Sequence, residues 1–356
     1  MEKQKLIITD QLYQDLTQEV ELINPDKIFI LTDSNTHATC LPAIKEHPLL
    51  QDANICTIPA GDSNKNIQSL MFVWENLSSL GASRQSLLIN LGGGMISDLG
   101  AFAAATFKRG MKCINIPTTL LSMVDASLGG KTGINFKGLK NEIGAFYESD
   151  AVLIDIQFLK TLDKENKLSG YAEMLKHGLI YNIPRYDDLL NFEFSGDINY
   201  NLLSQLVRDS IAVKHYYVDQ DPHEKGLRKI LNLGHTIGHA FESFALHREK
   251  PVLHGYAIAW GLICELYIAH KQCSFPKEEL KTLIDIIKKQ YGVFEFTCKE
   301  YEQLYKLILH DKKNTKGSGI INMPLLIKRG EVSLEEIVDK DLIYESFDFY
   351  RDFMGI

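Results

Sequence analysis

The chain of 356 residues is longer than one typical hydrophobic core supports, so we expect two domains. Its hydrophobic content of 45% and charged content of 24% are ordinary for a water-soluble globular protein. The net charge of −8 argues against a nucleic-acid-binding protein, and no apolar segment approaches the length that a membrane span requires.

The first part of the chain alternates strand-like and helix-like segments. Helical patterns, as at 66–80 and 95–107, separate short apolar runs that predict strands. The predicted strands are 27–33, 86–94, 112–119 and 151–156. Such alternation indicates a mostly parallel sheet covered by helices, and we predict an α/β domain over residues 1–157.

The pattern changes after about residue 158, where strand signals nearly vanish. A strand or hairpin is predicted only at 319–332. Helices are predicted at 169–182, 199–218, 224–247, 254–272 and 277–291. Residues 158–356 are therefore predicted to form a mainly α-helical second domain.

Three glycines end the second predicted strand and open a helix in "INLGGGMISDLGAF". Gly92, Gly93 and Gly94 are candidate pyrophosphate contacts, because glycine allows close approach and a helix N-terminus offers free N–H groups. A tight strand-to-helix turn without a ligand explains them equally well, since the motif is not GxGxxG. Asp33 ends an earlier strand, where it is either a ribose ligand or a helix cap.

The densest polar stretch is residues 117–147, which hold Asp125, Lys131, Asn135, Lys140 and Asn141 among five glycines. Lysines on glycine-rich loops bind phosphate or carboxylate well. A solvated loop is the alternative, but small and apolar neighbours and the scarcity of acids count against it.

"DPHEKGLRKILNLGHTIGHAFESF" has a helix start signal at its Asp-Pro-His-Glu. On one continuous helix, Arg228, Asn232, His235 and His239 would lie within about 60° of one another. A cation, an amide and two imidazoles on one face predict the wall of a site rather than an ordinary exposed surface.

Two histidines four residues apart can share a divalent ion, and an open zinc site takes three protein ligands. Glu173 and His254 are further candidates and His177 is a rival, and spacing alone does not choose among them. A single histidine here could equally be a hydrogen-bonded core residue. Lys214, Lys312 and Lys313 add cations that either meet an anion or face solvent.

The six cysteines are scattered and form no CxxC pair, which is typical of reduced packing residues in a cytoplasmic protein. The first residues contain no signal-peptide pattern, so we expect a cytoplasmic location. Together, a nucleotide-binding domain, a metal and several cations predict metal-assisted oxidation of an alcohol on a small phosphorylated acid.

Six segments of this sequence resemble the 3-dehydroquinate synthase family of the shikimate pathway. They share that family's order and spacing, and the likeness runs from residue 33 to residue 313. The segments are "GGGMISDLGAFAAATFKRG", "IPTTLLSMVDASLGGKTGIN", "LKNEIGAFY", "SGYAEMLKHGLI", "LNLGHTIGHA" and "LHGYAIAWG".

The resemblance implies a dehydroquinate synthase-like fold, a homodimer, NAD, and a divalent metal that is usually zinc, with cobalt as an alternative. It implies Glu173, His235 and His254 as the metal ligands and leaves His239 to the substrate or to a position behind the ligands. Arg109 would reach the substrate phosphate of the partner subunit.

The resemblance also implies two larger sets of residues. The NAD site would draw on Asp33, Asn35, Asp62, Lys65, Gly92, Gly93, Gly94, Asp98, Thr118, Thr119, Asp125, Lys131, Lys140, Thr161 and Leu162. The substrate site would draw on Asp125, Lys131, Lys140, Asn141, Lys176, Lys214, Arg228, Asn232, His239 and one of Lys312 and Lys313.

The implied reaction converts 3-deoxy-D-arabino-heptulosonate 7-phosphate to 3-dehydroquinate and phosphate. A transient oxidation by NAD precedes phosphate elimination, re-reduction and an intramolecular aldol closure. The sequence departs from the family at Asp62, where glutamate is common, at Glu165 and Asn166, and at Ser97. No implied metal ligand or main substrate cation is lost.

Three alternatives remain from the sequence. Another sugar phosphate cyclase acting on a neutral sugar would need no carboxylate clamp, so Arg228 and Lys214 favour the quinate-forming reaction. A metal-dependent alcohol or glycerol dehydrogenase would release NADH in each turnover and would need fewer lysines. A non-catalytic nucleotide-binding relative is disfavoured because the expected polar groups are all present.

Overall fold

The computed structural model describes residues 4–137, 139–309 and 321–356. The chain divides into two compact units, Met1–Asp163 and Lys164–Ile356. The sequence pattern placed the boundary after residue 157, whereas the short 3-10 helix Ile156–Lys160 belongs to the first unit. Within the described part of the chain, no helix combines the length and the apolar character needed to span a bilayer.

The first unit is built on a six-stranded parallel sheet with the order β1-β8-β5-β4-β2-β3. The central strands are continuous apolar runs because both faces of a parallel sheet are covered. Its strands are β1 (Lys5–Ile8), β2 (Ile28–Asp33), β3 (Asn54–Ile58), β4 (Leu87–Gly92), β5 (Lys112–Pro117) and β8 (Ala151–Ile154). Four of them fulfil the sequence predictions, while β1 and β3 lacked a clear signal.

Five helices accompany this sheet: α1 (Leu12–Ile23), α2 (Ser34–Thr39), α3 (Pro42–Lys45), α4 (Ile67–Ser79) and α5 (Gly94–Thr106). Helix α5 packs very close to the sheet, since a Cβ on Gly100 would lie 2.0 Å from Asn90 Oδ1 of β4. This close approach holds the middle of α5 against the middle of β4.

The glycine-rich stretch forms strands rather than the predicted loop. It contains one π-helical turn (Ser122–Ala126) and the antiparallel hairpin of β6 (Lys131–Phe136) and β7 (Leu139–Phe146). Gly133 and Gly144 lie opposite each other, and a Cβ on Gly144 would lie 2.0 Å from Thr132 O. The glycines therefore allow two strands to approach closely, whereas the sequence predicted that they let a loop fold round an anion.

The second unit is mainly helical, and one antiparallel hairpin joins its helices. The helices are α6 (Lys164–Ile180), α7 (Tyr186–Leu190), α8 (Tyr200–Gln220), α9 (His235–His247), α10 (His254–Cys273), α11 (Lys277–Tyr291), α12 (Tyr301–Leu309) and α13 (Lys340–Met354). The hairpin consists of β9 (Ile321–Lys328) and β10 (Glu331–Val338). The predicted combination of an α/β part with a mainly helical part is confirmed.

One helix prediction is wrong: residues 224–247 do not form a single helix. A 3-10 helix over Leu227–Asn232 ends before Gly234, and α9 begins at His235. Gly234 has a φ of 79°, which belongs to the left-handed region that favours glycine. Arg228 and Asn232 therefore do not share a helix with the two histidines, and the helical wheel that grouped all four does not apply.

The helix start predicted at Asp221 is also wrong. Asp221 ends α8, and its carboxylate accepts hydrogen bonds from the backbone N–H groups of Lys225, Gly226 and Arg228. Glu224 has a φ of 56° and accepts a 2.7 Å hydrogen bond from Asn232 Nδ2. These side chains shape a tight turn before the 3-10 helix rather than a capping box.

Candidate active site

Three helices of the second unit bring one carboxylate and two imidazoles together. Glu173 lies inside α6, whereas His235 and His254 are the first residues of α9 and α10. Glu173 Oε1 is 3.5 Å from His235 Nε2 and 3.6 Å from His254 Nε2, and the glutamate side chain is fully buried. The three residues that the resemblance implied as metal ligands thus face one another.

The spacing of these atoms suits a metal ion. Zinc binds imidazole nitrogen and carboxylate oxygen at about 2.0–2.2 Å, so two ligands of a tetrahedral ion lie about 3.3–3.6 Å apart. The two measured distances fall within this range. Two nitrogens and one anionic oxygen also form the kind of open three-ligand set that leaves a position for a substrate hydroxyl.

A second set of groups orients these side chains. His235 Nδ1 lies 3.1 Å from Leu233 O, and His254 Nδ1 lies 3.5 Å from Glu242 Oε2. Because a carbonyl only accepts, the His235 proton sits on Nδ1 and its Nε2 is directed towards Glu173. The Lys176 ammonium bonds to Glu173 Oε2, which leaves Oε1 on the side of the imidazoles.

Two carboxylates affect the charge of His254. Burial lowers the pKa of this imidazole, but Glu242 and Glu173 outweigh burial and raise the pKa to about 9. The site therefore favours a positive charge at this position. A metal cation that binds here competes with a proton.

His239 remains close to the same centre. Its ring centroid is 5.2 Å from that of His235 and 5.8 Å from that of His254, and each of the three rings offers a nitrogen within 4.8 Å of the others. Distances alone therefore leave His239 as a rival to Glu173. The other rival, His177, has its Nδ1 2.7 Å from Ser210 Oγ.

The second unit also buries three predicted substrate cations. Lys176 lies on α6, Lys214 on α8 and Arg228 in the 3-10 helix. Arg228 Nη1 donates a 2.6 Å hydrogen bond to Pro222 O. Lys176 is paired with the carboxylate of Glu173, as described above. Lys312 and Lys313 lie outside the described residues.

In the first unit, β2 and β4 are adjacent strands. The strand that follows β2 in the chain, β3, lies towards one edge of the sheet, whereas the strand that follows β4, β5, lies towards the other edge. Ligands of open α/β sheets bind at the carboxyl ends of such strands. Asp33 ends β2, and Gly92 ends β4. Asp33 caps α2, accepting from the backbone N–H groups of Asn35 at 2.8 Å and Thr36 at 2.9 Å. Both bonds end on Oδ1, so capping does not use Oδ2.

The glycine turn packs tightly against the segment that follows β5. Thr118 N donates to Gly92 O at 2.9 Å, and a Cβ on Gly93 would lie 3.0 Å from Thr119 Cγ2. Gly94 opens α5, where a Cβ would lie 3.1 Å from Ala126 Cβ. The turn therefore serves packing and also presents a helix N-terminus.

A polar cluster lies near this turn within the first unit. The buried Lys65 ammonium contacts the carboxylate of Asp98 and the side-chain oxygen of Asn141. Burial raises the pKa of Asp98, and the charge of Lys65 opposes this rise. In a second charged group, Lys140 Nζ is 3.2 Å from Asp62 Oδ2. The two groups together contain four predicted NAD contacts and, in Asn141, one predicted substrate residue.

The remaining predicted residues of this unit lie outside the glycine turn and the Lys65 cluster. Asp125 lies in the π-helical turn, Lys131 is exposed at the start of β6, and Thr161 and Leu162 follow the 3-10 helix that ends the unit. Arg109 is exposed in a turn of left-handed residues, with a φ of 66°.

Sequence reasoning missed two buried glutamates of the second unit, Glu242 and Glu265. Glu242 follows His235 by seven positions and Glu265 follows His254 by eleven, so each lies about 20° from its histidine on the helix surface. The sequence signal for both glutamates is this spacing, which places an acid on the same helix face as a histidine.

Solved structures of two synthases share the fold of this chain. The solved structure of 2-deoxy-scyllo-inosose synthase with carbaglucose-6-phosphate, NAD+ and Co2+ has a TM-score of 0.82 and 23% identity, covering 98% of this chain and 96% of the other. The 2-epi-5-epi-valiolone synthase from Streptomyces hygroscopicus with NAD+ and Zn2+ has a TM-score of 0.83 and 21% identity, covering 99% and 98%. These likenesses define the fold.

The family follows from sequence. The models described as 3-dehydroquinate synthase N-terminal and C-terminal match residues 55–169 and 170–314. A 3-dehydroquinate synthase from Parabacteroides distasonis is 51% identical over 356 residues, covering 100% of both chains. The chain belongs to the 3-dehydroquinate synthase family, which confirms the family and the enzyme class that its motifs predicted.

Proposed function

We propose that this chain converts 3-deoxy-D-arabino-heptulosonate 7-phosphate to 3-dehydroquinate and phosphate, using NAD and a divalent metal ion. One observation carries the proposal: Glu173 Oε1 faces the Nε2 atoms of His235 and His254 at 3.5 and 3.6 Å. The named cyclase structures hold NAD+ with Co2+ or Zn2+, which supports the same pair of cofactors here.

Glu173, His235 and His254 would hold the metal, with zinc preferred and cobalt accepted by this donor set. When bound, NAD supplies a hydride acceptor and donor, and the metal ion supplies a Lewis acid for the hydroxyl that is oxidised. The Lys176 ammonium neutralises Glu173 Oε2, so the carboxylate offers one oxygen rather than two to the ion. His239 would contact the substrate beside this centre.

The buried cations of the second unit would hold the substrate's charges. The planar guanidinium of Arg228 matches a carboxylate in a paired contact, whereas Lys176 and Lys214 act as point charges. Negative charge grows on phosphate as its carbon–oxygen bond breaks, and fixed cations stabilise that charge. Asn232, Asn141, Lys131 and one of Lys312 and Lys313 complete the proposed substrate set.

NAD would lie at the carboxyl ends of β2 and β4. The N-terminus of α5 and the glycine turn would face the pyrophosphate, and Asp33 Oδ2 would accept from ribose. The remaining proposed contacts are Asn35, Asp62, Lys65, Asp98, Thr118, Thr119, Asp125, Lys131, Lys140, Thr161 and Leu162.

The test mixes purified protein, a divalent metal, the heptulosonate phosphate and catalytic NAD. We expect release of inorganic phosphate in amounts far above the NAD supplied, with no net absorbance of NADH. Stoichiometric NADH would instead identify a dehydrogenase and would overturn the proposal. Sugar phosphates without a carboxylate serve as the control, since they lack the group that Arg228 is proposed to hold.

A homodimer is proposed on the resemblance, with Arg109 reaching the partner's substrate. The β6–β7 hairpin supports this, because Leu139 and Ile143, which share one face of β7, are 58% and 38% exposed. Apolar side chains on one exposed hairpin are typical of a surface that another chain covers. Light scattering on the purified protein checks the dimer. A cytoplasmic location stays a prediction.

A further inference from the structure

The buried carboxylate of Glu265 lies behind the break that precedes His235. Glu265 Oε2 accepts a 2.6 Å hydrogen bond from Gly234 N, and Oε1 accepts a 3.0 Å hydrogen bond from Ile237 N. These two N–H groups stand on either side of His235 in the chain. One side chain from α10 therefore clamps the first turn of α9 around a proposed metal ligand.

The peptide unit between Leu233 and Gly234 connects Glu265 to the imidazole. Its N–H donates to Glu265 Oε2, and its carbonyl lies 3.1 Å from His235 Nδ1. A hydrogen bond to an anion polarises a peptide group, which makes the carbonyl at its other end a stronger acceptor. The carboxylate, the peptide and the ring thus form one continuous line of hydrogen bonds ending at Nε2.

Close packing makes this line rigid. Glu265 is fully buried, and glycines let α9 and α10 meet at backbone distance. A Cβ on Gly261 would lie 2.4 Å from Gly234 O, and a Cβ on Gly238 would lie 2.9 Å from Ala257 O. Helix α10 also begins with His254, so the same helix carries a second proposed ligand and the clamp on the first.

A negative charge at this position also suits the helix. Carboxylates are stabilising at a helix N-terminus, where backbone N–H groups lack partners within the helix. Gly234 is the N-cap residue of α9 and has no side chain to do this itself. The cap is therefore supplied from α10, and a tertiary contact replaces the local one.

We propose that Glu265 is a positioning residue of the metal centre: it acts through the Leu233–Gly234 peptide to fix the His235 ring with its proton on Nδ1 and its Nε2 presented to the metal. This inference rests on the proposed metal site. It predicts that removing the charge of Glu265 weakens metal binding more than the loss of an ordinary helix cap would.

The experiment uses the full-length protein and metal ions alone. Metal-free Glu265→Gln is titrated with Zn2+ against a chelator, and its Co2+ complex is examined by absorption spectroscopy. Glutamine keeps the shape but turns an N–H group towards a backbone N–H group. We expect Zn2+ affinity to fall about 10- to 100-fold, the range typical for partners behind metal ligands, with an altered Co2+ spectrum.

The matched control is Asp339→Asn. Asp339 caps α13 in the same unit by accepting from Leu342 N at 2.8 Å, and it belongs to no proposed site. We expect this variant to keep the Zn2+ affinity and the Co2+ spectrum. Unchanged affinity and spectrum in Glu265→Gln, or equal losses in both variants, would overturn the inference.

Nitrogen-15 spectra of histidine in the zinc-loaded, unmodified protein provide a test that does not need the variant to fold. The His235 signal, assigned through its correlations with neighbouring residues, should show a proton on Nδ1. A proton on Nε2 would refute the inference. If the unmodified protein binds no Zn2+ at all, the proposed function fails instead, so the two failures are distinguishable.

Discussion

At the scale of single residues, Glu173 shows how one side chain can serve two partners. Its Oε2 bonds to the Lys176 ammonium, and its Oε1 faces two imidazoles. Both side chains of the ion pair are almost completely buried. A buried ion pair adds little net stability because desolvation is costly, so its value here lies in holding one oxygen in a fixed direction.

The two histidines of α9 should separate by function. We expect His235→Ala to lose the metal and at least 10³-fold of activity, because one of three ligands is removed. His239→Ala should keep the metal while activity falls by about 10²-fold, the scale of one positioned polar group. Zinc content after dialysis, measured together with phosphate release, distinguishes the variants.

The control for this pair is His247→Ala, at the far end of the same helix, which should change neither property. Equal zinc loss in His235→Ala and His239→Ala would instead make the i, i+4 pair the ligand set. Sequence spacing could not separate the two histidines, because residues four apart lie on the same face of a helix and either one could reach the metal. The position of His235 beside the Leu233 carbonyl depends on the helix break, which the spacing did not reveal.

At the scale of elements, the break before α9 is the largest difference between sequence and structure. The apolar and polar periodicity continues across residues 224–247, so it predicted one helix. The left-handed backbone of Gly234 ends the helical path, and the carboxylate of Glu265 caps the new helix, α9, that begins at His235. Periodicity carries no information about a cap that comes from another helix, and glycine within a helical pattern was the only local sign of the break.

Gly234→Ala tests how strictly the break is required. A Cβ at this position would lie 2.7 Å from Leu262 Cγ, and the φ of 79° is unfavourable for alanine. We expect the free energy of unfolding to fall by about 2–4 kcal/mol, from the backbone cost and overpacking together. Zinc affinity should fall as well, since His235 follows directly.

Gly355→Ala separates the two causes. This glycine has a φ of 82°, and no atom lies within 4 Å of its added Cβ. Its variant should lose only about 1 kcal/mol, the cost of the left-handed backbone. Denaturant unfolding of the metal-free variants gives both values, and equal losses would show that the contact with Leu262 contributes nothing.

At the scale of the whole molecule, the sequence predicted the α/β part and the helical part because strand and helix periods differ clearly. Strands β2, β4, β5 and β8 were found since they are continuous apolar runs. The exposed β7 escaped detection because none of its residues is fully buried, and its glycines resembled a loop. The candidate site depended on family motifs, since no spacing rule connects Glu173 on α6 with His254 on α10.

Cofactor binding should stabilise the whole protein by mass action. NAD at 100 times its Kd should raise the free energy of unfolding by about 2.7 kcal/mol. A chelator should not abolish this gain, because none of the proposed NAD contacts is a proposed metal ligand. Gly93→Val should abolish it, since a side chain there meets Thr119 and occupies the turn proposed for pyrophosphate. The surface variant Gly196→Ala, whose Cβ meets nothing within 4 Å, should keep the full gain. Equal stabilisation of Gly93→Val by NAD would show that the glycine turn serves packing alone, which is the alternative that its sequence left open.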